Sequence, residues 1–146
     1  MANNNNSNNT VSQFVRAIGS DAIPRMARML LVDKSITSID AEDSQYGWTA
    51  LSYQAGYGAT GTVAWLLRQD PPPNIDLRNS GQRTPLMEAA LSITDSEGKV
   101  RLLIEYGADR DLKAVNGWTA LSYARSSNKP AAVIDLLENY RPDVSR

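Results

Sequence analysis

The chain contains no cysteine and no histidine. Without cysteine there is no disulfide to support a fold and no thiol nucleophile, which neither requires nor excludes an oxidising compartment. Without histidine a hydroxyl nucleophile lacks an imidazole base, and a metal would rest on carboxylates alone. The carboxylates never fall into a paired acid–base or metal-ligating spacing. Asp109 and Asp111 come nearest to a pair, and they lie in a loop where local turn bonding accounts for them. Long apolar runs are missing too, since nothing approaches the roughly 20 residues that span a bilayer. Charge of one sign is scarce: 15 basic against 16 acidic residues give a net charge of -1, with no basic tract to follow a nucleic acid. The only regional bias is an acidic excess over residues 36–80, which reads as solvated surface or, failing that, weak steering of a partner. Gly56, Gly58 and Gly61 lie between two helical patterns rather than between a strand and a helix, so they make no phosphate cradle. These absences argue against an enzyme and predict no cofactor, no metal, no nucleic acid and no membrane among its partners.

What is present is a phrase that repeats. Gly47-Trp48-Thr49-Ala50-Leu51-Ser52-Tyr53 returns as Gly117-Trp118-Thr119-Ala120-Leu121-Ser122-Tyr123, with Arg83-Thr84-Pro85-Leu86-Met87-Glu88-Ala89-Ala90 midway between them. Thr49, Thr84 and Thr119 are each 35 residues apart. A period of that length holding two helical patterns marks stacked supersecondary units.

Each unit reads as turn, helix, loop, helix, loop. The threonines suit the N-cap position, and Pro85 suits the first helical position, where its missing N–H is not needed. First helices are predicted at about 50–57, 85–92 and 120–127, with Leu51, Ala55, Leu86, Ala90, Leu121 and Ala124 turned inward. Second helices carry buried stripes at Val63, Leu66 and Leu67, at Val100, Leu103 and Ile104, and at Val133, Leu136 and Leu137. Thr94 and Glu97 fit a capping box for the middle one, and Gly107 fits its C-terminal stop. A degenerate earlier unit holds Phe14, Val15, Ala17 and Ile18, then Met26, Met29, Leu30 and Leu31. The predicted organisation is an Asn-rich tail without fixed structure over residues 1–10, four units at about 11–43, 44–78, 79–113 and 114–141, and a polar tail over 142–146.

This pattern resembles the ankyrin repeat, best copied by Thr84-Pro85-Leu86 with Leu103-Ile104 and Gly107-Ala108-Asp109. The resemblance covers residues 11–141 and implies an all-α ankyrin-repeat solenoid of about four helix-turn-helix units with projecting turns. The family's histidine after the leucine is replaced by Ser52, Met87 and Ser122. The period exceeds the family's usual ~33 residues by two, with insertions assigned to Pro71-Pro72-Pro73 and to Ile93–Ser96. Gly81 stands three residues before its threonine, whereas Gly47 and Gly117 stand two before theirs, so the Ser80–Arg83 turn is expected to differ in shape.

Family members bind protein partners through projecting turns and the concave face of the first helices. Carried over, this implies a non-catalytic adaptor or inhibitor that binds a folded protein through Tyr46, Trp48, Tyr53, Tyr57, Arg83, Glu88, Trp118 and Tyr123. Trp48 and Trp118 are outward-facing anchors on this reading, or rings packed over neighbouring turns on the alternative. Tyr53 and Tyr123 fall where the family has an inward leucine and are expected to be half-buried. Trp65 is expected in the packing between units. Arg83 and Glu88 read either as a polar centre between aromatic anchors or as a solvated surface pair. A second functional reading is assembly through the ends of the stack, by way of an exposed Ile134. The cytoplasm is the expected location.

Overall fold

The recurring threonines start helices for a local reason. The protein is described by a computed structural model covering residues 4–142. The hydroxyls of Thr49, Thr84 and Thr119 accept from the amides of Ser52, Met87 and Ser122 at 3.2, 3.3 and 3.3 Å. Ser52 and Ser122 accept in return from the threonine amides at 3.1 and 3.3 Å. Met87 offers its thioether sulfur to the Thr84 amide at 3.4 Å. Each box thus satisfies two of the backbone donors that a helix start leaves free.

Eight α-helices follow among the described residues: α1 (Asn4–Val15), α2 (Ala22–Ala27), α3 (Ala50–Tyr57), α4 (Thr60–Leu67), α5 (Pro85–Leu91), α6 (Ser96–Glu105), α7 (Ala120–Ser126) and α8 (Ala131–Asn139). A five-residue π turn, Arg28–Val32, continues α2. Helices α3 and α4, α5 and α6, and α7 and α8 pair as hairpins. The first helices stack α1 on α3, α3 on α5 and α5 on α7, while the second helices stack α2 on α4, α4 on α6 and α6 on α8. The fold is an all-α solenoid of helix-turn-helix repeats in two layers.

Small residues set the spacing of the first layer. Ala50, Ala55, Ala89, Ala90, Ala120 and Ala124 are all buried there, letting neighbouring backbones approach. The second layer fills the gap with Val63, Leu66, Val100, Leu103, Val133 and Leu136, each no more than 4% exposed. Burying one such side chain contributes about 1.5–3 kcal/mol, and none of these stripes could be buried within a single hairpin. A polar bolt joins the first two repeats: fully buried Gln54 donates to the carbonyls of Val15 and Ala17 at 3.1 and 2.7 Å.

A second ladder runs along the loops at the far edge. The Asn74 amide donates to Asp40 at 3.0 Å, and the Asp109 amide donates to Asp76 at 3.0 Å. Within each loop the Asp76 amide donates to Asn74 and the Asp111 amide to Asp109, at 3.2 and 2.9 Å. These bonds explain why Ile39-Asp40 recurs as Ile75-Asp76, and they give Asp109 and Asp111 the local turn role expected of them.

Three expectations need correction. The Asn-rich stretch is helical from Asn4 onward, and residues 1–3 lie outside the described residues, as do 143–146 of the C-terminal tail. Buried Phe14 and Val15 fix the end of α1, after which each added turn costs only propagation rather than nucleation. Leu31 lies in the π turn and is 58% exposed, because widening the turn rotates it off the buried stripe of Met26. Helix α6 is capped by Asp95, whose carboxylate accepts from Gly98 at 3.1 Å, and Thr94 instead turns its hydroxyl toward Lys99.

Two glycines in the second repeat give opposite predictions. A Cβ on Gly58 would lie 1.9 Å from the Gln54 amide oxygen, whereas one on Gly61 meets nothing within 4 Å. Gly58→Ala should lose about 1–3 kcal/mol by disturbing the Gln54 bolt. Gly61→Ala should gain roughly 0.4–1 kcal/mol by restricting the unfolded chain. Urea unfolding of both variants checks the pair.

Candidate protein-binding surface

Three turns project beside the first helices, and each is closed by the residue at its base. In the first, the Asp43 amide donates to the Trp48 carbonyl at 2.9 Å, and its carboxylate accepts from the amides of Tyr46 and Trp48 at 2.9 and 3.2 Å. In the second, the Asn79 amide donates to the Arg83 carbonyl at 3.0 Å, while its side-chain oxygen accepts from Gly81 and Arg83 at 3.0 and 3.1 Å. In the third, Ala114 has no side chain to offer, and Asn116 accepts from Trp118 at 3.1 Å. Adjacent turns are joined: the Ser80 amide donates to the Tyr46 carbonyl at 3.2 Å, and Arg78 donates to the Lys113 carbonyl at 2.5 Å.

The expected difference in shape of the Ser80–Arg83 turn holds against the first turn, closed between Asp43 and Trp48 with one more residue, and fails against the third, closed between Ala114 and Trp118 as Asn79 and Arg83 close the second. Gln82 has φ +59°, beside +62° at Gly47 and +79° at Gly117, so the left-handed position stays two residues before the threonine. The second turn shares its hydrogen-bond pattern with the third and places a non-glycine residue at the left-handed position.

The upper face changes chemistry from repeat to repeat. In the second repeat Trp48 and Tyr53 meet edge to face at 5.7 Å, and Tyr57 adds contacts at 5.9 Å to Trp48 and 5.0 Å to Tyr53. In the fourth, Trp118 and Tyr123 meet at 5.3 Å. At the same positions of the third repeat stand Arg83 and Glu88, with the guanidinium Nε 2.6 Å from the carboxylate. Glu88 also accepts from Asn79 at 3.0 Å and is only 3% exposed, which excludes the reading as a solvated pair. Burial pushes the Glu88 carboxyl above its ordinary range, with Arg83 and Asn79 acting against that rise.

Trp48 is 8% exposed, not an outward anchor, whereas Trp118 is 39% exposed. The difference follows from the stack. Trp48 is covered by Tyr57 and by the turn that follows, whereas Trp118 belongs to the last described turn and has a serine, Ser127, at the place of Tyr57. Tyr53 is half-buried as expected, and Tyr123 is buried with its hydroxyl near Asn116 at 3.4 Å. Tyr46 and Tyr57 are exposed, Arg83 is half-exposed, and Trp65 packs against the core as expected. Ile134 is half-buried against the core rather than presented as an end face.

Arg16, Asp43 and Lys99 carry roles that the repeat pattern did not signal. Arg16 donates to Asp43 at 2.8 and 3.2 Å and lies 5.6 Å from the rings of Tyr46 and Tyr53. Burial alone would raise the Asp43 carboxyl, but bonds from the Tyr46 amide, Arg16 and the Trp48 amide hold it below its ordinary value. Lys99 is fully buried, and its ammonium donates to Ser92 Oγ at 2.8 Å, Gly58 O at 3.0 Å and Thr94 Oγ1 at 3.4 Å. A signal for Lys99 existed in its spacing, which puts it on the buried stripe with Ser96 and Leu103. Among the described residues no group of three or more His, Cys, Asp or Glu side chains could hold a metal ion, and no helix is long and apolar enough to cross a membrane.

The family model for ankyrin repeats (3 copies) matches residues 1–114 and 73–146. Among solved structures, EF0377, an ankyrin repeat protein, is similar with a TM-score of 0.70 and 24% identity, over 91% of this chain and 64% of that one. The ankyrin repeat domain of Bcl-3, a member of the IkappaB protein family, is similar with a TM-score of 0.64 and 24% identity, over 81% of this chain and 49% of that one. The chain therefore spans less than two thirds of either structure, and the likeness concerns fold. No curated protein matches the chain.

Two stability predictions follow from this surface. Gln82→Gly should stabilise the fold by about 0.5–1 kcal/mol, the relief of a left-handed side chain less the added freedom of the unfolded state. Burial lowers the Lys99 ammonium from 10.5 to about 8, with Lys129 adding to the shift and Asp95 opposing it. Between those values the unfolded chain holds more protons than the folded one, so stability should rise with pH from about 8 to 10.5 relative to Lys99→Met. Denaturant unfolding across that window checks the sign.

Proposed function

The chain belongs to the ankyrin-repeat family, a family of protein–protein interaction modules, and on that premise we propose that it acts as an adaptor or inhibitor gripping one folded protein through the projecting turns and the concave face of its first helices. The observation that carries this reading is the arrangement of unlike chemistry on a rigid frame. Tyr46, Tyr57 and Trp118 are 51%, 61% and 39% exposed, on either side of the Arg83–Glu88 pair. Tyr57 and Trp118 pack against second rings and Tyr46 lies against the Arg16 guanidinium, so they lose little freedom when a partner covers them, and such side chains dominate interfaces. Trp48, Tyr53, Glu88 and Tyr123 support the surface from beneath, orienting the groups that a partner meets.

Self-association through the ends is the weaker reading. Helix α8 carries Glu138 in an ion pair with Arg125 and an Asn139–Asp135 hydrogen bond of 2.8 Å, and Ile134 on it is half-buried against the core. Affinity capture from native lysate tests the choice. The wild-type chain should retain a stoichiometric partner, and Trp118→Ser with Tyr57→Ser should reduce its recovery at least tenfold at unchanged helicity. Recovery of the chain alone, equal in both samples, would contradict the proposal and favour assembly.

A further inference from the structure

Between α3 and the loop after α5 lies a hollow of about 250 Å³, walled by Tyr57, Arg83, Glu88, Leu91, Ser92 and Ile93. Its charge is one-sided. The only carboxylate in the wall, Glu88, is buried and already accepts from Arg83 and Asn79. One cation, Arg83, lines the wall, and two more, Lys99 and Lys129, contact the wall residue Ser92. Arg83 is fixed at Nε by Glu88, and among the described residues its two terminal nitrogens take no partner. Lys99 donates to Ser92 Oγ from below, and Lys129 donates to the Ser92 carbonyl. The neighbouring Asp95 is occupied in capping α6 and in a hydrogen bond from Thr60.

The rim is apolar. Ile93, in the loop 92–95 between α5 and α6, is 94% exposed, and Tyr57 of the same hollow is 61% exposed. An isoleucine so fully in water gains nothing for the fold, and contact with an apolar group of a partner would take it out of water.

Resting on the reading of this face as the binding surface, we propose that the hollow recognises an acidic–apolar segment of the partner protein: an aspartate or glutamate carboxylate received by the terminal nitrogens of Arg83, with an adjacent aliphatic or aromatic side chain covered by Ile93 and Tyr57. Glu88 holds the guanidinium in place, so the fork is oriented before the partner arrives, and a planar carboxylate matches its two outer donors. The loop between α5 and α6 sets specificity here by carrying Ile93 to the rim.

A random peptide library displayed on phage and selected against the full chain supplies the probe. The enriched peptides should carry Asp or Glu beside Leu, Ile, Phe or Trp. Titration calorimetry with one such synthetic peptide should show about tenfold weaker binding to Ile93→Asp and severalfold weaker binding to Ile93→Ser. Both substitutions lie at an exposed site and should leave thermal unfolding unchanged. Arg83→Gln should weaken binding at least tenfold, and replacing the peptide's acid with Lys should abolish it. Enrichment of basic or uncharged peptides, or equal binding to the Ile93 variants, would overturn the proposal. If such peptides still lose binding to Trp118→Ser, the surface reading survives that failure. Binding indifferent to Tyr57, Ile93 and Trp118, or no enriched peptide at all, would count against both.

Discussion

Everything in this fold depends on neighbouring first helices being allowed to approach closely. A single hairpin has one apolar stripe and nothing within itself to bury it against. Alanines at Ala55, Ala90 and Ala124 let the stack close, so each stripe of Val, Leu and Ile finds its cover in the next repeat. The Thr–Ser boxes fix where each helix begins, the aspartate ladder fixes the loops at the opposite edge, and the side chain of Gln54 fixes the first repeat to the second. With these three sets of bonds the turns have little freedom, and the side chains they carry are held in register along one face.

That register is what gives the surface its chemistry. Equivalent positions hold Trp48 with Tyr53, Arg83 with Glu88, and Trp118 with Tyr123. The aromatic pairs suit burial, since their rings pack edge to face and their polar tips reach water. The charged pair in the middle is more demanding. Taking Glu88 out of water costs free energy that its bonds from Arg83 and Asn79 only partly offset, as its raised pKa shows. Lys99 imposes a second such cost in the same repeat. Stability alone would be better served by apolar side chains at both places, so the polar layer in the third repeat is an argument for function rather than for fold.

Much of the architecture was legible because it is periodic. The threonine spacing located three helix starts to the residue, and the pairs Leu66-Leu67, Leu103-Ile104 and Leu136-Leu137 located the buried stripes of α4, α6 and α8, whereas Leu30-Leu31 did not mark one in the first repeat. Exposure on the first-helix face was less legible, since it depends on what comes next in the stack: Trp48 and Trp118 share the same local phrase, yet among the described residues only Trp48 is roofed by a following turn. The backbone of the second turn was hidden for a different reason, because glycine marks a left-handed position but Gln82 can occupy it too. Asp43 and Asn79 stand at the base of their turns with no matching residue at Ala114, so their shared role was visible only once the hydrogen bonds were seen. The helical reach of α1 into the asparagines is set by the anchored residues behind it rather than by their own composition.

The central claim is that recognition falls on the first-helix face around the third repeat. Chemical-shift mapping of the 15N-labelled chain, titrated with its captured partner, addresses that most directly. The account predicts shifts at the Trp118 indole and at the amides of Tyr57, Arg83 and Ile93, with α4, α6 and α8 unmoved along their outer sides. Shifts gathered on those outer helices instead, with the Trp118 indole unchanged, would contradict it.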